Sequence, residues 1–252
     1  MMKTGFHVVT PNKKANTSDY ADYLMLKKTS REYNRQYLYE TTVGAGLPVI
    51  DNLQKLVIAG DLLEKFEGIL SGSLSYVFGK LDEGMSISKA TETAKENGFT
   101  EPDPRDDLSG LDVKRKITIL AREAGHPVNM SGVKLKGILN KACLNAKSVP
   151  AFFKALEQMD EAFEEMANQA AQKKKRLRFI ATMEKNGKCS IGLQAVGEKS
   201  PFYNLGGSDN MLVITTKRYN KRPLVIKGPG AGADVTAAGV FAEIISIANT
   251  VD

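Results

Sequence analysis

The sequence predicts a mixed α/β protein, and three observations carry that reading. Apolar residues recur at helical spacing in residues 48–59 and again from Ser73 to Leu81. Residues 178–226 run instead as apolar strands punctuated by turn signals. The 252 residues contain neither an internal repeat nor a low-complexity linker. With 42% hydrophobic and 25% charged residues, the chain has material for one large domain or two modest ones.

Residues 6–10 read as a strand that ends at Pro11-Asn12, and a polar helix follows over residues 17–26. A second strand over residues 36–39 runs into Glu40 and the loop Val43-Gly44-Ala45-Gly46-Leu47-Pro48. Val49, Leu53, Leu56 and Val57 then mark a helix stopped by Gly60. Residues 65–70 are a short strand. A helix from near Ser73 carries Leu74, Val77, Phe78 and Leu81, and another runs from Ser88 to the stop signal Asn97-Gly98. Residues 99–109 are a loop stiffened by Pro102 and Pro104. Ser109, with Asp112 three positions later, has the form of a helix-starting cap before Val113, Ile117, Leu120 and Ala124.

Beyond Pro150, the apolar residues from Phe152 to Met166 predict one amphipathic helix. Asn186-Gly187, Gly206-Gly207 and Tyr219-Asn220 are hairpin signals between the later strands. Gly228-Pro229-Gly230-Ala231-Gly232 introduces a final helix over residues 234–249.

Composition also excludes classes. No run of about 18 apolar residues offers a membrane-spanning helix. The start, Met-Met-Lys-Thr-Gly-Phe-His, lacks a signal-peptide core, so a soluble cytoplasmic protein is expected. Cys143 and Cys189 cannot form a disulfide framework, and two Cys with two His lack zinc-ligand spacing. Both cysteines read as buried or incidental, and neither His7 nor His126 has the partners of a hydrolase triad. The net charge of +6 suits anionic ligands. Its densest run, residues 173–178, suits a helix C-terminus, and no aromatic-rich basic module accompanies it, so nucleic-acid binding is not expected.

Residues 97–116 are the most informative. Their prolines hold a loop bearing Glu101, Asp103, Asp106 and Asp107, and Asp112 and Lys116 follow four apart on one helix face. A fixed carboxylate cluster can hold an ammonium group, and a lysine beside an aspartate can pass a proton to a polarised oxygen. The same pattern also suits a solvated acidic loop with a surface ion pair, worth about 0–1 kcal/mol.

This stretch resembles the signature of the homoserine dehydrogenase family, most closely the C-terminal portion of bifunctional aspartokinase/homoserine dehydrogenases. Four other segments agree in order. They are Val8-Val9-Thr10-Pro11-Asn12-Lys13-Lys14-Ala15-Asn16-Thr17, Tyr39-Glu40 through Val43-Gly44-Ala45-Gly46-Leu47-Pro48, Leu70-Ser71-Gly72-Ser73-Leu74-Ser75-Tyr76 and Gly230-Ala231-Gly232-Ala233-Asp234-Val235-Thr236-Ala237-Ala238-Gly239. Together they cover nearly the whole chain and are specific as a set, whereas one Gly-x-Gly is not.

The resemblance implies reduction of aspartate 4-semialdehyde to homoserine with NADP or NAD as cofactor, on the branch to threonine, methionine and isoleucine. It implies Lys116 as acid/base, Lys13 as a second lysine at the reacting carbon and Asp112 as their carboxylate partner. Glu101 and Asp107 correspond to groups that hold the substrate ammonium, and Ser73 to a hydroxyl beside the substrate. Thr10, Pro11, Lys13, Gly98 and Gly232 correspond to the cofactor contact. Glu40, with the carbonyls of Val43, Ala45 and Leu47, corresponds to a monovalent-cation site for Na+ or K+. The ion-free alternative for that loop is a plain strand-to-helix turn.

The implied architecture is a partial Rossmann-like nucleotide-binding lobe (residues 1–35 and 228–252) and an α+β substrate and dimerisation lobe (residues 36–227). The second lobe is expected to have a mixed or antiparallel sheet and to form a homodimer. No Gly-x-Gly-x-x-Gly fingerprint precedes the first strand. The alternative reading is therefore a truncated, cofactor-incompetent relative that binds amino acid or associates with full-length subunits.

Overall fold

The computed structural model describes residues 1–250 and forms two sheets. The first is small. Strand β1 (Val8–Val9) pairs parallel with β2 (Tyr37–Leu38), and helix α1 (Tyr20–Glu32) connects them. Parallel neighbours need such a crossover, so this is a short βαβ unit. Both strands are shorter than the sequence predicts and α1 is longer, because only Val8 and Val9 find ladder partners.

Helix α2 (Ile50–Ile58) follows and ends at Ala59, with Gly60 left-handed at φ 72°. It buries Ile50 and Leu53 but leaves Val57 on the surface. Next come β3 (Leu63–Ile69), α3 (Gly72–Asp82) and α4 (Ile87–Glu96). On α3 the predicted apolar set Leu74, Val77, Phe78 and Leu81 is buried. The expected loop over 99–109 contains a short helix, α5 (Arg105–Leu108). Helix α6 (Leu111–Glu123) then buries Val113, Ile117 and Leu120.

Ser109 does not cap α6 as predicted. The cap position is Gly110, left-handed at φ 74°, and the Asp112 carboxylate is committed to lysines instead. A Cβ on Gly110 would meet the Phe179 ring at 3.0 Å, so glycine is required there by space as well as by backbone angle.

After a short edge strand, β4 (Lys134–Leu135), and the single turn α7 (Lys141–Leu144), the predicted long helix proves to be two. These are α8 (Val149–Glu157) and α9 (Asp160–Gln172). The break comes from tertiary bonding: Asp160 accepts hydrogen bonds from the Ser88 N–H and hydroxyl at 2.8 and 2.6 Å.

The second sheet is completed by β5 (Lys175–Glu184), β6 (Cys189–Gly197), β7 (Asp209–Thr216) and β8 (Leu224–Pro229). Its order is β4-β6-β5-β3-β7-β8, antiparallel except for the β4–β6 pair. Asn186-Gly187 and Tyr219-Asn220 do lie in hairpin turns. Gly206-Gly207 does not, because β3 is inserted between β5 and β7 and keeps β6 and β7 apart.

Helices α3, α6 and α9 pack on one face of this sheet and share the main core with it. On the other face Ile69, Ile180, Met211 and Val213 pack with Phe202 and Leu205 of the β6–β7 connection. Arg178, the last residue of the basic run 173–178, is 1% exposed. It pairs with Asp82 at 2.7 Å and donates to the carbonyls of Phe202 and Tyr203 at 3.0 and 2.8 Å. Cys143 and Cys189 are buried free thiols.

The final helix, α10 (Ala233–Ala248), returns beside β1 and the Glu40–Thr42 turn. It fits there through close approach at glycines. A Cβ on Gly239 would lie 2.4 Å from Thr41 Cγ2, and one on Gly46 would lie 2.7 Å from the Val235 carbonyl. No helix among the described residues is long and apolar enough to cross a membrane.

Candidate active site

A cleft of about 1240 Å3 opens between the acidic loop, the start of α3, α6 and the glycine-rich entry to α10. At its base Asp112 lies 3.0 Å from Lys116 and 3.3 Å from Lys13. The first contact follows from four-residue spacing on α6; the second joins the helix to the segment after β1. Lys116 Nζ also donates to the Leu70 carbonyl at 2.7 Å, which fixes the amine between the end of β3 and α6.

These contacts set the proton affinities. Burial pulls the Lys116 ammonium below the ordinary lysine value; Asp112 opposes that pull and the Lys13 charge adds to it. Burial pushes the Asp112 carboxyl up, but Lys116 and then Lys13 overcome it and leave it below the usual range. The site therefore combines an ionised carboxylate with a lysine that gives up its proton more readily than one in water.

The second cluster stands at the start of α3. Ser71 caps this helix by accepting from the Leu74 N–H at 3.2 Å, and the turn presents Ser73 to the acidic loop. Ser73 donates to Asp107 at 2.9 Å, while the other Asp107 oxygen accepts the Glu101 N–H at 2.8 Å. Burial raises the Asp107 carboxyl, against the Glu101 N–H and the Ser73 hydroxyl. Glu101 and Asp106 are exposed at the cleft edge. Asp103 stands apart, since Arg105 takes both its oxygens at 2.9 and 3.0 Å through Nε.

The residues expected to meet the cofactor divide. Pro11, Lys13, Gly98 and Gly232 line the cleft. Thr10 is not among its lining residues, and its hydroxyl accepts the Asn12 N–H at 3.1 Å. Ala231, Ala233 and Thr236 extend the lining along the start of α10.

The cation loop also divides. The Glu40 carboxylate accepts the N–H groups of Val49, Ile50 and Asp51 at 2.5, 2.7 and 2.8 Å, so it caps α2. Leu47 O accepts the Val49 N–H at 2.9 Å. Among the described residues, the carbonyls of Val43 and Ala45 accept no hydrogen bond, although both residues are buried. Glu243 Oε1 accepts the Glu40 N–H at 2.7 Å, and its buried Oε2 has no partner. Burial, against the Glu40 N–H and with a smaller push from the Glu40 charge, raises the Glu243 carboxyl to about 7. Two free carbonyls beside two crowded carboxyls have the donor chemistry of a hard-cation site.

Sequence reasoning missed several residues here. The Leu70 carbonyl and Ser208 carry no chemical signature. Ser208 lies at the cleft because Gly72 admits its carbonyl, which a Cβ on Gly72 would meet at 2.7 Å. Phe99 is 39% exposed on the cleft wall and packs on Tyr76, their ring centres 4.9 Å apart.

A family model described as homoserine dehydrogenase matches residues 48–245. The chain belongs to the homoserine dehydrogenase family. The bifunctional aspartokinase/homoserine dehydrogenase of Haemophilus influenzae is 51% identical over 97% of this chain, which covers 30% of that protein. The homoserine dehydrogenase of Schizosaccharomyces pombe is 42% identical over 97% of this chain and 67% of its own length. A hyperthermophilic archaeal homoserine dehydrogenase in complex with NADPH superposes with a TM-score of 0.73 at 26% identity, over 100% of this chain and 66% of that one. The chain thus spans about 30% of the length of the bifunctional relatives it matches. Neither the family match nor these relatives favour the alternative of a truncated, cofactor-incompetent relative.

Proposed function

We propose that the chain carries the chemistry of a homoserine dehydrogenase, the NAD(P)H-dependent reduction of L-aspartate 4-semialdehyde to L-homoserine. The observation that carries the proposal is Asp112 held between Lys116 and Lys13 in a cleft that Glu101 and Asp107 also line.

Glu101 and Asp107 hold the substrate ammonium, with Ser73 fixing the rotamer of Asp107. That places the aldehyde oxygen toward the lysine pair. Lys116 gives its proton to this oxygen as negative charge grows on it, and takes the proton back when homoserine is oxidised. Asp112 keeps the Lys116 amine oriented and balances the second charge, on Lys13, which favours negative charge at the same oxygen. Pro11, Lys13, Gly98 and Gly232 offer the wall for the dinucleotide, and Thr10 supports the turn behind them. When bound, NADPH or NADH supplies the hydride to the aldehyde carbon.

The carbonyls of Val43 and Ala45, with Leu47 O and Glu40 at the loop ends, would hold a monovalent cation such as Na+ or K+. Its charge would offset the neighbouring carboxyls and stiffen the loop against α10. Residues 1–35 and 228–252 belong in this reading to a nucleotide-binding lobe, and residues 36–227 to the substrate and dimerisation lobe of a cytoplasmic homodimer. The pathway is that to threonine, methionine and isoleucine.

Homoserine-dependent reduction of NADP, followed at the NADPH absorbance, tests the proposal with Lys116→Met as control. Activity that disappears in the variant supports it. Absence of turnover in a folded preparation that still binds homoserine would defeat it.

A further inference from the structure

Arg122 lies beyond the reach of the chemistry just described, yet it ties the two sides of the cleft together. Its guanidinium is buried at 3% exposure and donates only to uncharged oxygens. Nη1 reaches the Asn16 carbonyl at 2.8 Å, Nη2 the Ser18 carbonyl at 2.6 Å and Asn129 Oδ1 at 3.1 Å, and Nε the Val128 carbonyl at 2.9 Å. The rings of Tyr20 and Tyr23 lie 5.6 and 5.1 Å from it. No carboxylate among the described residues forms an ion pair with it. Burying a charge is costly unless its donors are met, so a guanidinium here is spent on holding backbone in place.

The backbone it holds is the turn that follows Lys13. Thr17 Oγ1 donates to the Lys13 carbonyl at 2.9 Å, and the Tyr37 hydroxyl donates to Asn16 Oδ1 at 3.0 Å. Asn16 is fully buried. Arg122 itself follows Asp112 and Lys116 on α6. One rigid helix therefore bears two of the three charged groups at the cleft base and grips the segment that delivers the third.

We propose that Arg122 is a positioning residue for Lys13, fixing the turn after it to α6 so that its ammonium meets Asp112. The inference rests on the proposed function only for its effect on turnover. Arg122→Lys in the full chain keeps the charge and loses the fork of donors, and Asn129→Ala removes one acceptor at an exposed position. Arg122→Lys should lower kcat about 10- to 100-fold while homoserine KM stays within about twofold. Because it acts through Lys13, the double variant with Lys13→Ala should be no slower than Lys13→Ala alone.

A second arm needs no turnover. Acylation of Lys13 by acetic anhydride, read by mass spectrometry, should speed up about two- to fivefold in Arg122→Lys, toward the rate in Asp112→Asn. Asn129→Ala should move it in the same direction by less, and decides the matter if Arg122→Lys does not fold. An inactive parent chain would sink the proposed function and leave this arm standing. Parental acylation rates in the folded variants, or losses that multiply in the double variant, overturn the inference.

Discussion

Lys13 reaches Asp112 at 3.3 Å across the cleft, so the carboxylate that Lys116 meets through helix spacing is shared with a lysine from the other side. The sharing makes the two neighbours of Lys116 act in opposite directions. Asp112 raises its proton affinity and Lys13 lowers it.

The pH profile of homoserine oxidation follows from that opposition. In the proposed reaction oxidation requires neutral Lys116, so kcat/KM should rise with pH through the lowered value of this amine. Lys13→Ala removes the repulsion and moves the rising limb to higher pH. Asp112→Asn removes the attraction and moves it to lower pH. Both should cost about 10²- to 10⁴-fold in kcat. Limbs that shift in the same direction would show that Lys116 is not the titrating base.

Ser73→Ala should act on binding. The hydroxyl donates to Asp107 and lowers its carboxyl, so its loss lets burial raise that group further. Protonated Asp107 cannot hold an ammonium. Homoserine KM should rise about tenfold with kcat nearly unchanged, since a hydrogen bond to a charged group contributes about 1.5–3 kcal/mol. The rise should grow as pH falls. Steady-state kinetics over a pH series measure this directly.

Gly239→Ala tests the seam between α10 and the 41–46 loop. A new Cβ 2.4 Å from Thr41 Cγ2 forces the helix outward, at about 1–3 kcal/mol for overpacking. The expected result is a lower Tm with faster amide exchange in α10, while the β5–β6 ladder keeps its protection. Uniform loss of protection across both regions would contradict a local seam.

Arg178→Met should lower stability by about 1–3 kcal/mol, because Asp82 and the carbonyls of Phe202 and Tyr203 lose their buried donor and keep only Arg176, at 3.7 Å from Asp82 and 3.1 Å from Tyr203 O, and the Leu205 N–H, at 3.3 Å from Phe202 O. Urea denaturation measures the loss. A change under about 1 kcal/mol would mean that solvent reaches Asp82 freely enough to replace the arginine.

Arg178 also shows where the sequence was legible and where it was not. The apolar set on α3 and the pairing of Asp112 with Lys116 are local periodicities, readable because a helix imposes them. The family motifs brought Lys13, Ser73 and Asp107 to the same cleft despite their separation along the chain. Arg178 sits with four other basic residues in six positions, and nothing local separates the buried one from those in water. The break between α8 and α9 depends on Ser88, and the role of Gly206-Gly207 depends on where β3 enters the sheet. Both are decided by partners far along the chain. Arg122 was hidden for the same reason, since its acceptors are backbone carbonyls whose side chains say nothing about it.

The insertion of β3 between β5 and β7 has a consequence in time. β3 ends at Ile69, whereas its two ladder partners span Lys175–Glu184 and Asp209–Thr216. A ribosome adding about 5–20 residues per second therefore exposes β3 and the apolar face of α3 for on the order of ten seconds before the sheet can close. Helices α3, α4 and α6 must wait as an unroofed layer, and strand closure over so long a loop is intrinsically slow. The nascent chain spends that interval with an apolar layer uncovered, Lys116 already made and its sheet still to come.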